Sequence, residues 1–156
     1  MAMQLEPVLA DRDRWKAEHC SIDKAISAIG TRSAILLLRE AYYGTTRFDA
    51  FARRVGVTEA VAAARLKELT ELGVLAKQPY REPGQRTRYE YVLTQMGRDL
   101  LPVVLGLMQW GDKYLQDDAA PLKVVDTRSG SAVRVRMQNA DGEDVEMEDM
   151  ELAVRR

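Results

Sequence analysis

The reactive chemistry available to this chain is concentrated in one cysteine and one run of arginines. Cys20 is the only cysteine and follows the only histidine, His19; Ser21 is the expected N-cap of a helix from Ile22 to Ile29. The positive end of such a helix and a neighbouring imidazolium both favour a thiolate. A thiolate reacts with oxidants, quinones and aldehydes. An inert thiol acting as a small hydrophobe is the level alternative. With no second cysteine, any disulfide would link two chains or capture a small thiol. Hydrolysis fits poorly, because Ser21 and Asp23 share one short segment with His19 and cannot assemble a triad around it. No phosphate-cradling glycine loop, paired metal motif or nucleotide fingerprint is present, so neither an enzyme nor a cofactor is expected.

The arginines suggest a different chemistry. From Thr46 to Arg88 the basic residues are Arg47, Arg53, Arg54, Arg65, Lys67, Lys77, Arg81, Arg86 and Arg88, and the acidic ones are Asp49, Glu59, Glu68, Glu71 and Glu82. Nine against five leaves a local surplus of four in a chain whose 23 Lys and Arg face 24 Asp and Glu, for a formal charge of -1. A one-sided surplus of this kind suits phosphate contacts, whereas a solvated helical face is the plainer alternative.

The elements carrying these residues read as a winged helix-turn-helix. Phe48, Phe51, Ala52 and Val55 recur at helical spacing and leave the arginines outside. Gly56 stops that helix, Val57 is a spacer, Thr58 is an N-cap hydroxyl, and the second helix is expected to run to Leu72 before Gly73. Two helices joined by so short a turn are helix-turn-helix geometry. In the second helix Val61, Ala64 or Arg65, Leu69 and Leu72 are expected to face inward. Thr58, Glu59, Ala60, Ala62 and Ala63 are expected to face base edges in a major groove. Strands from Val74 to Gln78 and from Arg88 to Leu93 flank Glu82-Pro83-Gly84-Gln85, a type II turn signal, and form the wing. Candidate phosphate contacts from the helices are Arg47, Arg53, Arg54, Arg65 and Lys67, and Arg81, Gln85, Arg86 and Arg88 are candidates for wing contacts to the backbone or the minor groove.

The order Cys20, Ile29-Gly30-Thr31-Arg32, Gly44-Thr45-Thr46-Arg47-Phe48, Gly56-Val57-Thr58, Arg65-Leu66-Lys67-Glu68-Leu69, Gly73-Val74-Leu75 and Arg88-Tyr89-Glu90-Tyr91 resembles the HxlR-type winged-helix regulators, a family related to the MarR group. The resemblance spans about Cys20 to Leu115. It implies duplex DNA as partner, a two-fold dimer that sets its recognition helices one DNA turn, about 34 Å, apart, and a redox or electrophile sensor at Cys20. The chain departs from the family pattern at Ser33, where a Trp is usual, and at Ala60 and Ala63, where Lys and Thr or Ser are usual.

Around this unit, residues 1–20 form an N-terminal arm, with a short helix from Pro7 to Glu18, and 21–93 form the DNA-binding domain. A dimerisation helix at 94–118 is capped by Thr94, and 119–156 form a small antiparallel β extension. The long helix is apolar around too much of its circumference for a lone surface helix, so another chain or the N-terminal segment must cover part of it; a homodimer is expected, and the centre of a monomer core is the plainer alternative. In the extension, period-two alternation broken by Ser129-Gly130 and Asp141-Gly142 indicates hairpins. Its acidic residues from Asp141 to Glu151 disfavour phosphate and lack calcium-loop spacing, so no metal is expected. A pocket between the dimer helices and the wing domain is a candidate for Trp15, Tyr42, Tyr43, Met108 and Trp110, although aromatics at such spacing are more often core. No apolar run approaches a bilayer span, and the first ten residues lack a basic start, so a cytoplasmic protein without membrane partner is expected.

The expected fold class is thus mainly α with small β (α+β): a winged helix-turn-helix with dimerisation helices and a C-terminal β-hairpin extension. The expected function is sequence-specific DNA binding by a homodimeric transcriptional regulator, with a small-molecule or electrophile effector as a further partner. The alternative is a winged-helix protein-interaction module without specific DNA binding.

Overall fold

A computed structural model of the chain describes residues 2–14, 20–117 and 120–155. In chain order the elements are β1 (Gln4–Leu5), α1 (Ser21–Ile29), α2 (Arg32–Tyr42), α3 (Phe48–Val55), α4 (Glu59–Glu71), β2 (Leu75–Tyr80), β3 (Arg88–Leu93), α5 (Gln95–Asp99), α6 (Leu101–Tyr114) and β4 (Glu151–Leu152).

Three threonines set helix starts. The hydroxyls of Thr31, Thr58 and Thr94 accept the backbone N–H of Ala34, Val61 and Gly97 at 3.2, 3.2 and 3.1 Å, opening α2, α4 and α5. Each such cap stabilises by about 1 kcal/mol. Between α3 and α4, Gly56 takes the left-handed conformation, with φ of 73°, that ends one helix and redirects the chain into the other.

Leu37 and Leu38 of α2 are fully covered and stand at the centre of a core with Ile29, Phe51, Val55, Leu66, Leu69, Val74 and Leu75. The Phe51 ring meets Tyr91 of β3 edge to face at 6.2 Å, joining the helices to the wing. β2 and β3 pair antiparallel from Leu75 opposite Leu93 to Tyr80 opposite Arg88. The expected turn closes them: Gln85 N–H donates to Glu82 O at 3.0 Å and Gly84 holds φ of 77°. At the base of the wing α5 packs so closely that a Cβ on Gly97 would stand 2.3 Å from Val74 O.

Several sequence expectations need correction. Cys20, not Ser21, is the N-cap residue of α1, and Ser21 lies in the first helical turn. Over residues 7–14 the arm forms two single turns of 3₁₀ helix, Pro7–Leu9 and Arg12–Arg14, rather than the start of one continuous helix, and the rest of the expected helix to Glu18 lies outside the described residues. Trp15 and His19 lie outside the described residues. The helix opened by Thr94 breaks at Leu100, because Pro102 has no N–H to continue the ladder and restarts the chain as α6.

The alternating segments after Ala120 do not make a continuous sheet. They form isolated antiparallel bridges, Val125 with Ala132 and Gln138 with Asp144. β4 pairs parallel with β1 at the opposite end of the chain. With both faces of these segments exposed, alternation has no core to lock against. The extension is held to α6 by the Gln109 amide, which donates to Val133 O at 3.1 Å and accepts Val135 N–H at 2.9 Å.

Candidate nucleic-acid interface

The first turns of α4 present Thr58, Glu59, Ala60 and Ala63 to solvent, as the sequence suggested. Ala62 is different: it is fully buried and forms, with Leu66 and Leu69, the inward stripe of the helix. It is therefore removed from the set of candidate base-edge residues. Conversely Val61 and Leu72, expected inside, are 39% and 38% exposed, and Ala64 is also exposed. The run from Ala60 to Ala64 is apolar at every position, so periodicity gives no handle on its phase; of the expected inward positions Leu69 is buried, while Ala62 and Leu66 take the places of Val61 and of Ala64 or Arg65. The solvent face of α4 is consequently methyl-rich, with Val61 and Ala64 added to Ala60 and Ala63.

The basic residues fall into two groups. Some are already engaged. Arg54 donates to the Thr45 hydroxyl at 2.6 Å, Arg53 lies 3.5 Å from Asp49, Lys67 lies 3.7 Å from Glu71, and Arg65 pairs with Glu68. Except for the Arg54 bond, these are exposed pairs within one helix, worth a few tenths of a kcal/mol each and easily exchanged for a phosphate. Arg47 is held more firmly: its guanidinium lies against the Tyr80 ring and within 3.9 and 3.7 Å of Glu82 and Glu90. In the wing, Arg81 Nε donates to Gln85 O at 3.0 Å, bracing the turn across its own neck. The second group is Arg86 and Arg88, which are exposed on the wing and make no ion pair among the described residues. Lys77, outside the expected contact set, extends the wing charge with its ammonium 5.7 Å from the Tyr91 ring centroid.

Cys20 is half-buried, with a free thiol at the N-cap of α1. The expected aromatic pocket is found in part. Tyr42, Tyr43 and Met108 line a cavity of about 730 Å³ between α2, α5, α6 and Val124 of the extension. Arg39 and Arg98 line it as well, whereas Trp110 of the expected group does not.

Among the described residues, two helix faces carry exposed apolar side chains. Val103, Leu107, Trp110 and Tyr114 follow one another at spacings of four, three and four on α6, and each is more than half exposed. Ile22 and Ile26 of α1, also four apart, are 70% and 61% exposed. No helix among the described residues is long and apolar enough to cross a membrane.

Comparison with known proteins gives this geometry a family. Residues 28–119 match the model of the HxlR-like helix-turn-helix family. Over 105 residues the chain is 40% identical to the HTH-type transcriptional regulator MT3179 of Mycobacterium tuberculosis, a match covering 67% of this chain and 65% of that relative's length. It is 32% identical over 98 residues to the HTH-type regulator YdeP of Bacillus subtilis, covering 62% and 75%. Among solved structures, PA1607, a proposed transcription factor, superposes with a TM-score of 0.76 at 31% identity, covering 86% of this chain and 94% of that one. The redox regulator HypR in its reduced form superposes with a TM-score of 0.55 at 27% identity, covering 61% and 93%. The helix pair α3 and α4, the wing and the residues matched agree, and the chain belongs to the HxlR-like helix-turn-helix family.

Proposed function

We propose that this chain is a homodimeric transcriptional regulator that binds duplex DNA, with α4 entering the major groove and the wing tracking the adjacent backbone. The observation that carries the reading is the exposed N-terminal half of α4 beside a wing bearing Arg86 and Arg88 without ion pairs among the described residues. Thr58 and Glu59 are the polar readers. The methyl face of Ala60, Val61, Ala63 and Ala64 suits thymine methyls and shape-dependent readout. Arg53, Arg54, Arg65 and Lys67 supply backbone contacts by exchanging their present partners for phosphate. The stripe from Val103 to Tyr114, together with Ile22 and Ile26, is the surface a second copy covers, and it sets the spacing of the two α4 helices. Support for regulation, for residence in the cytoplasm beside the chromosome and for a non-enzymatic role comes from the family and its named regulators. Cys20, at the start of α1, is the candidate for redox or electrophile gating, a reading supported by the likeness to the redox regulator HypR.

The test is binding to the intergenic DNA beside the protein's own coding sequence at two salt concentrations, with and without a quinone. Specific binding that weakens steeply with salt supports the regulator, because the slope counts the phosphates neutralised. Loss of Arg86 should lower both affinity and slope, and an unchanged slope removes the wing from the interface. A second reading, a protein-interaction module, is favoured by the scarcity of polar groups on α4, and absence of any salt-sensitive binding would select it.

A further inference from the structure

The cavity between α2 and α6 has an unusual wall. Most of its surface is aliphatic, from Ile35, Leu36, Val104, Leu105 and Met108, yet Arg39 and Arg98 line it and no carboxylate does. Its volume of about 730 Å³ lies within the range that takes a drug-sized or fatty molecule. The Arg39 side chain is only 34% exposed. Its Nη2 donates to Glu40 Oε1 at 2.7 Å, but its Nε is buried with no hydrogen-bond partner. A buried N–H on a cation is costly to leave without an acceptor. Arginine has five N–H donors, so one guanidinium can serve Glu40 through Nη2 and keep other donors for a second anion.

We propose that this cavity binds an amphipathic monocarboxylate, its head held by the guanidinium groups of Arg39 and Arg98 and its apolar body lying along α6, and that occupancy reaches the DNA-binding helices through Glu40. The proposal rests on the regulator reading for its consequence, not for the site. Glu40 is 6% exposed, and its second oxygen accepts the Thr45 hydroxyl at 3.1 Å. That hydroxyl in turn accepts Arg54 Nη1 of α3 at 2.6 Å. The buried carboxylate is therefore balanced by Arg39 directly and by Arg54 through Thr45. A bound anion shares Arg39 and weakens its hold on Glu40. Glu40 then draws on Thr45 and Arg54, and Arg54 is withdrawn from DNA phosphate. Ligand binding loosens DNA binding.

Calorimetry of the full chain with decanoate, and with decanol as the uncharged match, tests the site without DNA. Decanoate should bind at least about tenfold more tightly, the size of one charge-assisted hydrogen bond. Both Arg39→Gln and Arg98→Gln should erase the preference. Arg98→Gln, which leaves the Glu40 pair intact, keeps the test readable if Arg39→Gln unfolds. Equal affinity for the two probes, or binding of neither because a second copy fills the cavity, overturns the site. On DNA, decanoate should lower affinity about tenfold in the wild type and have no effect in the isosteric Thr45→Val. An undiminished effect in Thr45→Val overturns the relay. Absence of DNA binding removes the relay together with the regulator reading, while the carboxylate preference still decides the site.

Discussion

The guanidinium carbon of Arg47 lies 3.2 Å from the centroid of the Tyr80 ring, so the residue at the N-cap of α3 also grips the wing. Glu82 and Glu90 hold the same guanidinium from either side, and Thr46 O accepts Tyr91 N–H at 2.8 Å just beside it. The angle between the helix pair and the wing is fixed here. Arg47→Lys loses the planar stacking and should cost about 1 kcal/mol in urea denaturation. DNA affinity should fall with the salt slope unchanged. A slope reduced by about one would instead place Arg47 on a phosphate.

Neighbouring alanines of α4 should behave oppositely. Ala62 is fully buried beneath Leu66, so Ala62→Leu overpacks the core and should destabilise by about 1–3 kcal/mol. Ala63 faces solvent, and Ala63→Glu should leave the melting temperature within a degree or two while abolishing DNA binding. Equal melting temperatures for both variants would mean the helix is phased differently.

Leu107 lies in the middle of the exposed α6 stripe and is 53% exposed. Leu107→Asp should convert a dimer to a folded monomer, seen as a halved mass in light scattering with the circular dichroism spectrum retained. A dimer unaffected by this change would move the interface elsewhere.

Strong acid should loosen the extension through two carboxylates. The Ser129 hydroxyl and Arg128 N–H bonded to Asp126, and the Gln138 amide and Arg136 guanidinium bonded to Asp144, hold both carboxyls below their ordinary value of 3.8. A lowered folded-state value means that the stabilisation is fully present above 3.8 and is lost as pH falls through the lower folded-state values. Carboxyl chemical shifts followed by NMR should give midpoints below 3.8 for both residues. Midpoints at or above that value would show that the turns do not hold these contacts in solution.

If Cys20 gates DNA binding, Cys20→Ser should bind DNA as the wild type does and ignore quinone or hypochlorite. A full response in Cys20→Ser would remove the sensor. The thiol is half-buried at the start of α1, close in sequence to the exposed Ile22 and Ile26, so an adduct there would press on the proposed dimer face.

The sequence disclosed most where side-chain chemistry is local. Thr58, Thr94, Gly56 and the Glu82-Pro83-Gly84-Gln85 turn act through bonds within a few residues, and all four stand where the residue types placed them. It disclosed least where a property depends on distant partners. The phase of α4 was hidden because alanine carries little hydrophobic contrast. Pro102 was overlooked inside a run of Leu and Val, where apolar periodicity outweighed its missing N–H. The alternation after Ala120 resembled a sheet, although alternation specifies a face only when something covers it. Tyr42, Tyr43 and Met108 were rightly grouped, but that Arg39 and Arg98 share their cavity depends on how α2 meets α5, which no short-range pattern carries.

The pairing of Gln4–Leu5 with Glu151–Leu152 ties the beginning of the described chain to its end. Closing a flexible loop of roughly 150 residues costs about 4 kcal/mol in chain entropy, which cancels most of what the ladder and its flanking bonds, Gln4 Nε2 to Glu148 O at 3.2 Å and Val154 N–H to Glu6 Oε2 at 2.7 Å, can return. The knot must therefore be tied on a body already assembled, after Gln109 has caught the backbone at Val133 and Val135 and shortened the free span. This latch would be the last contact made in folding and the first released on warming, leaving the DNA-binding unit intact while the ends part.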